Sequence, residues 1–352
     1  MNRSLTRKSA VLAGTLAAGA FSTTASAQTL VVLSKSFDRV SFLDPTRPIE
    51  VGAAAVDVGP HEAATSPDGK TVVVCNYGRQ GGGRTLTLLD VETRKATGSI
   101  FLGEHSRPHG ILFLDNDRVI VTTEGSQSVL VVNIKTKQIE SAIKTDQNVS
   151  HMVALNHDKS RAFIANIGSG TVTAIDLNGK AVIKQIPTGA GAEGIWAHPT
   201  KNEVWVTNRE ANTVSIIDAN TLEVVQEMEC PEVPIRVAIT PDGTKALVSC
   251  ASSGDVAIFD TESRELIKRL HMDADVVNVE ERNRRLFGDE FGESPVPVGI
   301  LIEPDGSRAW VANTNADMLT IIDLTNLTIA RQIRSQGEPD GMAWSPLPVR
   351  PS

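Results

Sequence analysis

Short runs of apolar residues recur along the chain, and turn-forming residues separate them at regular intervals. In the segment that begins at Ala192, the runs cover residues 194–198, 203–208, 213–218 and 224–228. Val, Ile, Thr and Trp dominate these runs, while Pro, Gly, Asn and Asp lie between them, which is typical of β-strands joined by tight turns. No window after residue 27 shows the periodicity of an amphipathic helix. The pattern therefore predicts an all-β fold.

The four-strand pattern is itself a repeat. Its clearest copies read PHEAATSPDGKTVVVCN from Pro60, PIRVAITPDGTKALVSC from Pro234 and VPVGILIEPDGSRAWVAN from Val296. The first strands begin at residues 60, 108, 150, 192, 234, 297 and 339, so four of the six spacings are 42 residues. Four strands in a unit of about 40–45 residues indicate one blade of a β-propeller.

Seven first strands predict seven four-stranded antiparallel blades. The last copy ends after its first strand, EPDGMAWSP, whereas Thr29–Ser34 and Arg39–Asp44 match second and third strands. We therefore expect strands from the two ends of the chain to complete one blade and close the ring, which removes exposed sheet edges. The predicted domain covers residues 28–352, with an insertion at about residues 272–294.

The first 27 residues have a different character. Arg3, Arg7 and Lys8 precede a small apolar stretch at residues 10–21, and Ala25-Ser26-Ala27 follows it. This arrangement predicts a signal peptide cleaved after Ala27 and a periplasmic or extracellular protein. No later apolar stretch approaches the roughly 20 residues that a membrane span requires.

The charge of the chain argues against nucleic-acid binding. The formal net charge is −8, and it becomes −11 without the three basic residues of the signal segment. Binding to phosphates requires a basic surface, and the chain has no cluster of Lys and Arg interleaved with aromatic residues. Trp196, Trp205, Trp310 and Trp344 lie at strand positions, so we expect them to fill the core.

Neither the cysteines nor a known cofactor motif indicates a specific chemistry. Cys75, Cys230 and Cys250 form an odd set, so at least one thiol is free. We expect the cysteines to be small buried residues. The sequence leaves open whether Cys230 and Cys250 form a disulfide bridge. The chain lacks the C-x-x-C-H motif of haem c and the tryptophan-docking repeat of propellers that bind pyrroloquinoline quinone (PQQ), so neither cofactor is expected.

The candidate chemistry lies where the first strands enter the ring. Their second residues are, in order, His61, His109, His151, Glu193, Ile235, Val298 and Asp340. Equivalent positions meet around the central channel, so the three histidines and two carboxylates form one arc. Imidazole and carboxylate ligands suit a transition metal such as zinc, copper or iron, whereas calcium prefers oxygen ligands. A polar ligand site without a metal and a simply solvated channel mouth are the alternatives.

Two long loops fall on the same rim of the ring. One is the glycine-rich segment at residues 77–84, and the other is the charged insertion at residues 272–294. Long loops in a compact repeat protein are usually functional or disordered, so a lid is one interpretation and a solvated or dimer-forming loop is the other. Side chains that follow second strands on this side are predicted to bind a polar or anionic ligand: Lys35, Arg79, Glu124 and Arg209.

Two further segments carry a family resemblance. VTNREANTVSIIDANTLEVV from Val206 and VANTNADMLTIIDLTNLTIARQI from Val311 resemble the YVTN-type β-propeller repeat. Seven such units over residues 29–346, behind a signal peptide, resemble the YncE-like periplasmic proteins. The resemblance implies a propeller fold and export. It also implies DNA binding for some members, which the negative charge of this chain opposes.

Three function classes remain, because related propellers include lactonases, lyases, metalloenzymes and binding proteins. The leading prediction is a protein that binds a small molecule or a protein partner at the channel mouth. The alternative is a metal-dependent hydrolase or lactonase, in which Glu193 or Asp340 acts as ligand or general base. A redox metalloprotein is the third class. No nucleophile–base pair is legible in the sequence, so catalysis is left open.

Overall fold

The computed structural model describes residues 28–80 and 82–348. The predicted signal segment, Gly81 of the glycine-rich loop and the last four residues lie outside the described residues. Within the described part, the chain forms seven four-stranded antiparallel sheets. The predicted all-β propeller with seven blades is confirmed.

The strands are numbered in chain order. The first eleven are β1 (Thr29–Ser34), β2 (Arg39–Asp44), β3 (Ile49–Ala55), β4 (Pro60–Thr65), β5 (Thr71–Asn76), β6 (Thr85–Asp90), β7 (Lys95–Phe101), β8 (Pro108–Phe113), β9 (Arg118–Thr123), β10 (Ser128–Asn133) and β11 (Gln138–Lys144). The next twelve are β12 (Ser150–Leu155), β13 (Arg161–Asn166), β14 (Thr171–Asp176), β15 (Ala181–Pro187), β16 (Ala192–Ala197), β17 (Glu203–Asn208), β18 (Thr213–Asp218), β19 (Glu223–Glu229), β20 (Pro234–Ile239), β21 (Lys245–Cys250), β22 (Asp255–Asp260) and β23 (Leu266–His271). The last five are β24 (Pro297–Ile302), β25 (Arg308–Asn313), β26 (Met318–Asp323), β27 (Thr328–Arg334) and β28 (Pro339–Ser345).

The ring closes between the two ends of the chain. Strand β28 pairs with β1, with Val31 opposite Ala343, and β1 continues into β2 and β3 to complete the seventh blade. The innermost strands of neighbouring blades pack side by side around the channel, and these strands are β4, β8, β12, β16, β20, β24 and β28. Each of them runs from one rim of the ring, where its first residue lies, to the tight turns on the opposite face.

The core lies between the blades. Second strands such as β5 are almost wholly buried, whereas outermost strands such as β19 are mostly exposed. Trp205 and Trp310 are fully buried there, as predicted. The same prediction is wrong for Trp196, which lies on an innermost strand and lines the channel. Trp344 also lines the channel, but it is partly buried and packs against the core between two blades. Trp196 is 40% exposed, because its side chain faces the channel.

The insertion contains a short α-helix, α1 (Val279–Arg282). Within the described ranges, no helix has both the length and the apolar character to span a membrane. The three cysteines are buried free thiols, and the Sγ atoms of Cys230 and Cys250 lie 3.9 Å apart.

Candidate metal and ligand site at the channel mouth

Innermost strands on this rim begin with a β-bulge. The pairing of β4 with β5 shifts between Pro60 and Glu62, and that of β20 with β21 shifts between Pro234 and Arg236. Because a bulge re-aims the side chains beside it, both the second and the third residues of these strands reach the channel. In β8 the third residue is Gly110, where an added Cβ atom would lie only 2.7 Å from the carbonyl oxygen of the next blade's His151.

The structure brings the three predicted histidines together in one row. The ring centroids of His61 and His109 are 4.2 Å apart, and those of His109 and His151 are 3.6 Å apart. All three side chains are buried. We call His61, His109 and His151 the histidine row.

The central histidine of the row has no polar partner. His109 is fully buried, and neither of its ring nitrogens hydrogen-bonds to any described residue. Burial, followed by the positive charge of the neighbouring His151, holds the pKa of His109 well below its ordinary value. The side chain is therefore a neutral imidazole whose unprotonated nitrogen has a free lone pair.

His61 at one end of the row is also neutral. Its Nδ1 lies 2.9 Å from Asp340 Oδ2, without the alignment of a hydrogen bond, and Lys35 Nζ donates to the same oxygen at 2.6 Å. Burial and the charge of Lys35 lower the pKa of His61 to about 4. For Asp340, burial would raise the pKa, but Lys35 and His61 outweigh it and hold the pKa below its ordinary value.

His151 at the other end is held between carboxylates. Its Nδ1 donates to Glu124 Oε1 at 2.5 Å, and its Nε2 lies 3.5 Å from Glu193 Oε1. Burial would lower the pKa of His151, but these two carboxylates outweigh it and raise the pKa. Glu124 also accepts a hydrogen bond from Tyr77 Oη at 2.6 Å. His151 therefore carries a proton more readily than the other two histidines.

A buried arginine links the far side of the ring to this network. Arg236 donates to Glu193 Oε1 at 3.2 Å and to Glu62 Oε1 at 3.0 Å, and Arg209 donates to Glu193 Oε2 at 3.2 Å. Burial would raise the pKa of Glu193, but its bonds to His151 and the two arginines outweigh burial and lower the pKa to about 2. The sequence analysis did not select Arg236 or Glu62, although Glu62 directly follows His61.

Among the described residues, two sets of side chains could hold a metal ion. The ligand atoms of His61, Glu62 and His109 lie within 4.8 Å of one another, and so do those of His109, Glu124 and His151. Each set offers two imidazoles and one carboxylate, which suit zinc and other transition metals. Glu193 and Asp340, which the sequence analysis assigned as ligands, instead pair with Arg236 and Lys35. Their assignment to a metal stays a prediction.

A cavity of about 710 Å³ lies above one end of the histidine row. We call it the rim pocket. The ring contributes His61 and the cations Lys35, Arg79 and Arg107 to its walls, and the insertion contributes Glu281, Arg284, Arg285 and Leu286. Of the predicted ligand-binding residues, Lys35 and Arg79 line this pocket. Glu124 and Arg209 instead contact His151 and Glu193.

The cations around the rim pocket differ in their partners. Lys35 pairs with Asp340, Arg79 with Asp38, and the two arginines of the insertion with acidic neighbours. Arg107 has no carboxylate within ion-pair distance among the described residues, and its only polar side-chain partner there is the Tyr77 hydroxyl, at 3.3 Å. An anion in the pocket would therefore find one guanidinium without a competing carboxylate.

Comparison with solved structures shows the same architecture in several proteins. A Kuenenia stuttgartiensis hydrazine synthase chain aligns with a TM-score of 0.67 at 19% identity, covering 82% of this chain and 90% of that one. The dihydro-heme d1 dehydrogenase NirN, solved in complex with DHE, aligns with a TM-score of 0.64 at 13% identity, covering 89% and 74% of the two chains. A functionally unknown protein from Desulfotomaculum acetoxidans DSM 771 aligns with a TM-score of 0.72 at 15% identity, covering 90% and 98%. At these identities the likeness shows the fold alone.

Sequence comparison identifies the family. A search of curated proteins found no significant match. The model of the YNCE-like beta-propeller family matches residues 106–281, which is half of the chain. The match spans four complete blades and the first part of the insertion, and the full ring has the seven blades that the repeats predicted. The chain therefore belongs to the YNCE-like β-propeller family.

Proposed function

We propose that this protein binds one transition-metal ion at the histidine row and a small organic anion in the adjoining rim pocket. The observation that carries the proposal is His109, a fully buried imidazole with no partner on either nitrogen among the described residues. Buried polar groups in folded proteins are nearly always satisfied. A metal ion on one nitrogen would satisfy the lone pair that the protein leaves free.

The protonation of the imidazoles favours one of the two ligand sets, although burial raises the pKa of its carboxylate, Glu62. Metal ions bind neutral imidazole, and burial keeps both His61 and His109 neutral at neutral pH. At His151 the metal would have to displace a proton that Glu124 and Glu193 stabilise. We therefore assign His61, Glu62 and His109 as the ligands. His61 also lines the rim pocket, so an ion held there would be accessible to a molecule in that pocket.

The second ligand follows from the walls of the rim pocket. Arg107 offers an uncompensated guanidinium, and a guanidinium pairs well with a carboxylate because of its planar fork of donors. Phe37 and Leu286 are large apolar side chains that line the pocket and remain more than half exposed. A carboxylate with an apolar body matches both features.

Elemental analysis of the purified, untagged protein tests the metal proposal. We expect near-stoichiometric zinc, copper or iron in the native protein after incubation with these metals, and its loss in His109→Ala. The control is His271→Ala, which removes a solvent-exposed imidazole that pairs with Asp255 far from the row. Metal at equal stoichiometry in all three proteins, or in none of them, would contradict the assignment.

A metal-dependent hydrolase is the second candidate, and the pair of Glu124 and His151 favours it. His151 is the end of the histidine row next to His109, so its pair with Glu124 could hold and release a proton beside the proposed metal site, as general acid–base catalysis requires. Turnover of simple esters or lactones by the metal-loaded protein, abolished in Glu124→Gln with the metal retained, would establish it. Absence of turnover would leave the binding function.

Export belongs to the same proposal. The basic and apolar segments of residues 1–27 support it, and this part of the chain lies outside the described residues. Cell fractionation together with N-terminal sequencing of the mature protein tests it. We expect the mature chain to begin at Gln28 in the exported fraction, and an unprocessed chain in the cytoplasmic fraction would contradict it.

A further inference from the structure

A second cavity of about 570 Å³ occupies the part of the channel that faces the tight turns. We call it the lower chamber. Its walls include the sixth residue of six innermost strands, and these residues are Thr65, Phe113, Leu155, Ala197, Ile302 and Trp344. Asn156 and Lys159, which belong to a turn, also line it. The chamber therefore extends to the face opposite the histidine row.

The lower chamber is separate from the rim pocket. Glu62 and Arg236 lie at its inner end, and their 3.0 Å ion pair joins blades one and five across the channel. The two cavities share no lining residue. Arg236 is already matched by Glu62 and Glu193, so the inner end of the chamber offers no free positive charge. Apart from this pair and the turn residues, the walls are almost entirely apolar.

Two polar atoms in the chamber walls lack partners. Trp344 Nε1 and Thr65 Oγ1 are buried, and neither hydrogen-bonds to any described residue. By contrast, the indole nitrogens of Trp205 and Trp310 donate to Glu203 and Glu303. Buried indole N–H groups usually find an acceptor, so Trp344 is the exception among these three tryptophans.

The two unpartnered atoms lie at the same level of the channel. Thr65 and Trp344 occupy equivalent positions on β4 and β28, which are neighbouring innermost strands. Near the start of these strands, a Cβ atom on Gly341 would lie 2.3 Å from His61 O, which fixes their relative register. Trp344 lies three residues beyond Gly341 and Thr65 lies four residues beyond His61, so both residues line the chamber near the same end.

We propose that the lower chamber is a second binding site, for a neutral, flat apolar molecule with one hydrogen-bond acceptor. The apolar walls favour burial of the ring system, and the Trp344 N–H and Thr65 O–H groups donate to the acceptor. The volume lies within the range of about 300–1,000 Å³ typical of small-molecule pockets, which combine apolar walls with few polar groups. This site does not depend on the metal or on the anion in the rim pocket.

Fluorescence of prodan, a neutral naphthalene dye with one carbonyl acceptor, tests this inference. Native protein in EDTA should shift the dye emission to the blue with a saturable, one-to-one titration. Ala197→Phe should abolish binding by filling the chamber, and the fold should accept it because β8 carries Phe113 at the equivalent position. Trp344→Phe should weaken binding about five-fold, the weight of one hydrogen bond.

The rim-pocket variant Arg107→Gln is the matched control and should bind prodan as the native protein does. Circular dichroism and the melting temperature establish that each variant is folded. A native protein that does not bind the dye would overturn the inference. So would unchanged binding in folded Ala197→Phe, or equal affinity in Trp344→Phe and the native protein.

Discussion

Arg236 Nη2 and Glu62 Oε1 meet across the central channel at 3.0 Å, although 174 residues separate them in the chain. The pair joins blade five to blade one, and the second Nη of the same guanidinium contacts Glu193 of blade four. This connection divides the channel into the rim side, which holds the histidine row, and the lower chamber. It also fixes the position of Glu62, one of the three proposed metal ligands.

Removal of this guanidinium should destabilise the ring. In Arg236→Met, the largely buried Glu62 loses its cation and Glu193 keeps only Arg209 and His151, and breaking a buried ion pair typically costs about 3–5 kcal/mol. Urea unfolding should show a loss of this size. The additional change Glu62→Gln should recover part of it, because one buried charge is removed. Lys201→Met, which disrupts a pair with the exposed Glu262, should change stability much less, because solvent screens an exposed ion pair. Equal losses of stability in Arg236→Met and Lys201→Met would contradict the role of Arg236.

Mild acid should destabilise the metal-free protein through His61. Its pKa falls from 6.5 in the unfolded chain to about 4 in the fold, so the unfolded state takes up the proton first as pH falls. Stability is therefore complete above pH 6.5 and is lost between pH 6.5 and 4, by up to about 3 kcal/mol at 1.36 kcal/mol per pKa unit. Lys35, Asp340 and His109 surround this ring.

Urea unfolding in EDTA at several pH values tests the acid effect. The native protein should weaken over this window, and His61→Asn should show a smaller dependence on pH. His151 contributes in the opposite sense, because its raised pKa makes its stabilisation complete below pH 6.5 and lost at higher pH. A stability that stays flat from pH 6.5 to 4.5 would contradict a buried neutral His61.

The anion site depends on Arg107. Benzoate supplies one carboxylate and an apolar ring, so isothermal titration should detect its binding to the native protein. We expect Arg107→Gln to weaken benzoate binding at least ten-fold, since it removes the charge-assisted hydrogen bonds to the carboxylate. Arg84→Gln is the control, because Arg84 is nearby and exposed and does not line the pocket. Equal loss in both variants would indicate a general effect of surface charge instead of a site.

Arg285 holds the insertion in place at the wall of the rim pocket. This buried guanidinium donates to Thr314 O at 2.7 Å, to Asp317 and to Glu281, and so ties the insertion to blade six. Arg285→Ala should speed amide hydrogen exchange throughout residues 272–294. Arg284→Ala removes only an exposed pair with Glu280 and should leave exchange unchanged. Slow exchange in both variants would show that the apolar contacts of the insertion hold it without Arg285.

Much of the fold was predictable because propeller repeats are local. The strand pattern and its turns, such as Pro-Asp-Gly, recur from blade to blade. The copies at the two ends of the chain are incomplete, and together they supply the four strands of one blade. The predicted convergence of His61, His109 and His151 rested on the same logic. Equivalent residues of identical units lie at equivalent places, and the ring brings neighbours together.

The partners of these residues could not be predicted in the same way. Glu62 and Arg236 reach the channel because a bulge re-aims the third residue of their strands, and strict alternation does not anticipate a bulge. The pairing of Asp340 with Lys35, and of Glu193 with Arg236, depends on distances across the channel that no repeat encodes. Trp196 was expected in the core because strand position alone does not distinguish a channel wall from a blade interface.

Anomalous diffraction at the zinc absorption edge, from crystals grown with equimolar zinc, tests the central claim most directly. The proposal predicts one strong peak within bonding distance, about 2.0–2.2 Å, of nitrogens from His61 and His109 and of a Glu62 oxygen. A peak among His109, Glu124 and His151 would contradict this ligand set. Zinc found only on the protein surface, with His109 still without a partner, would contradict metal binding at the histidine row.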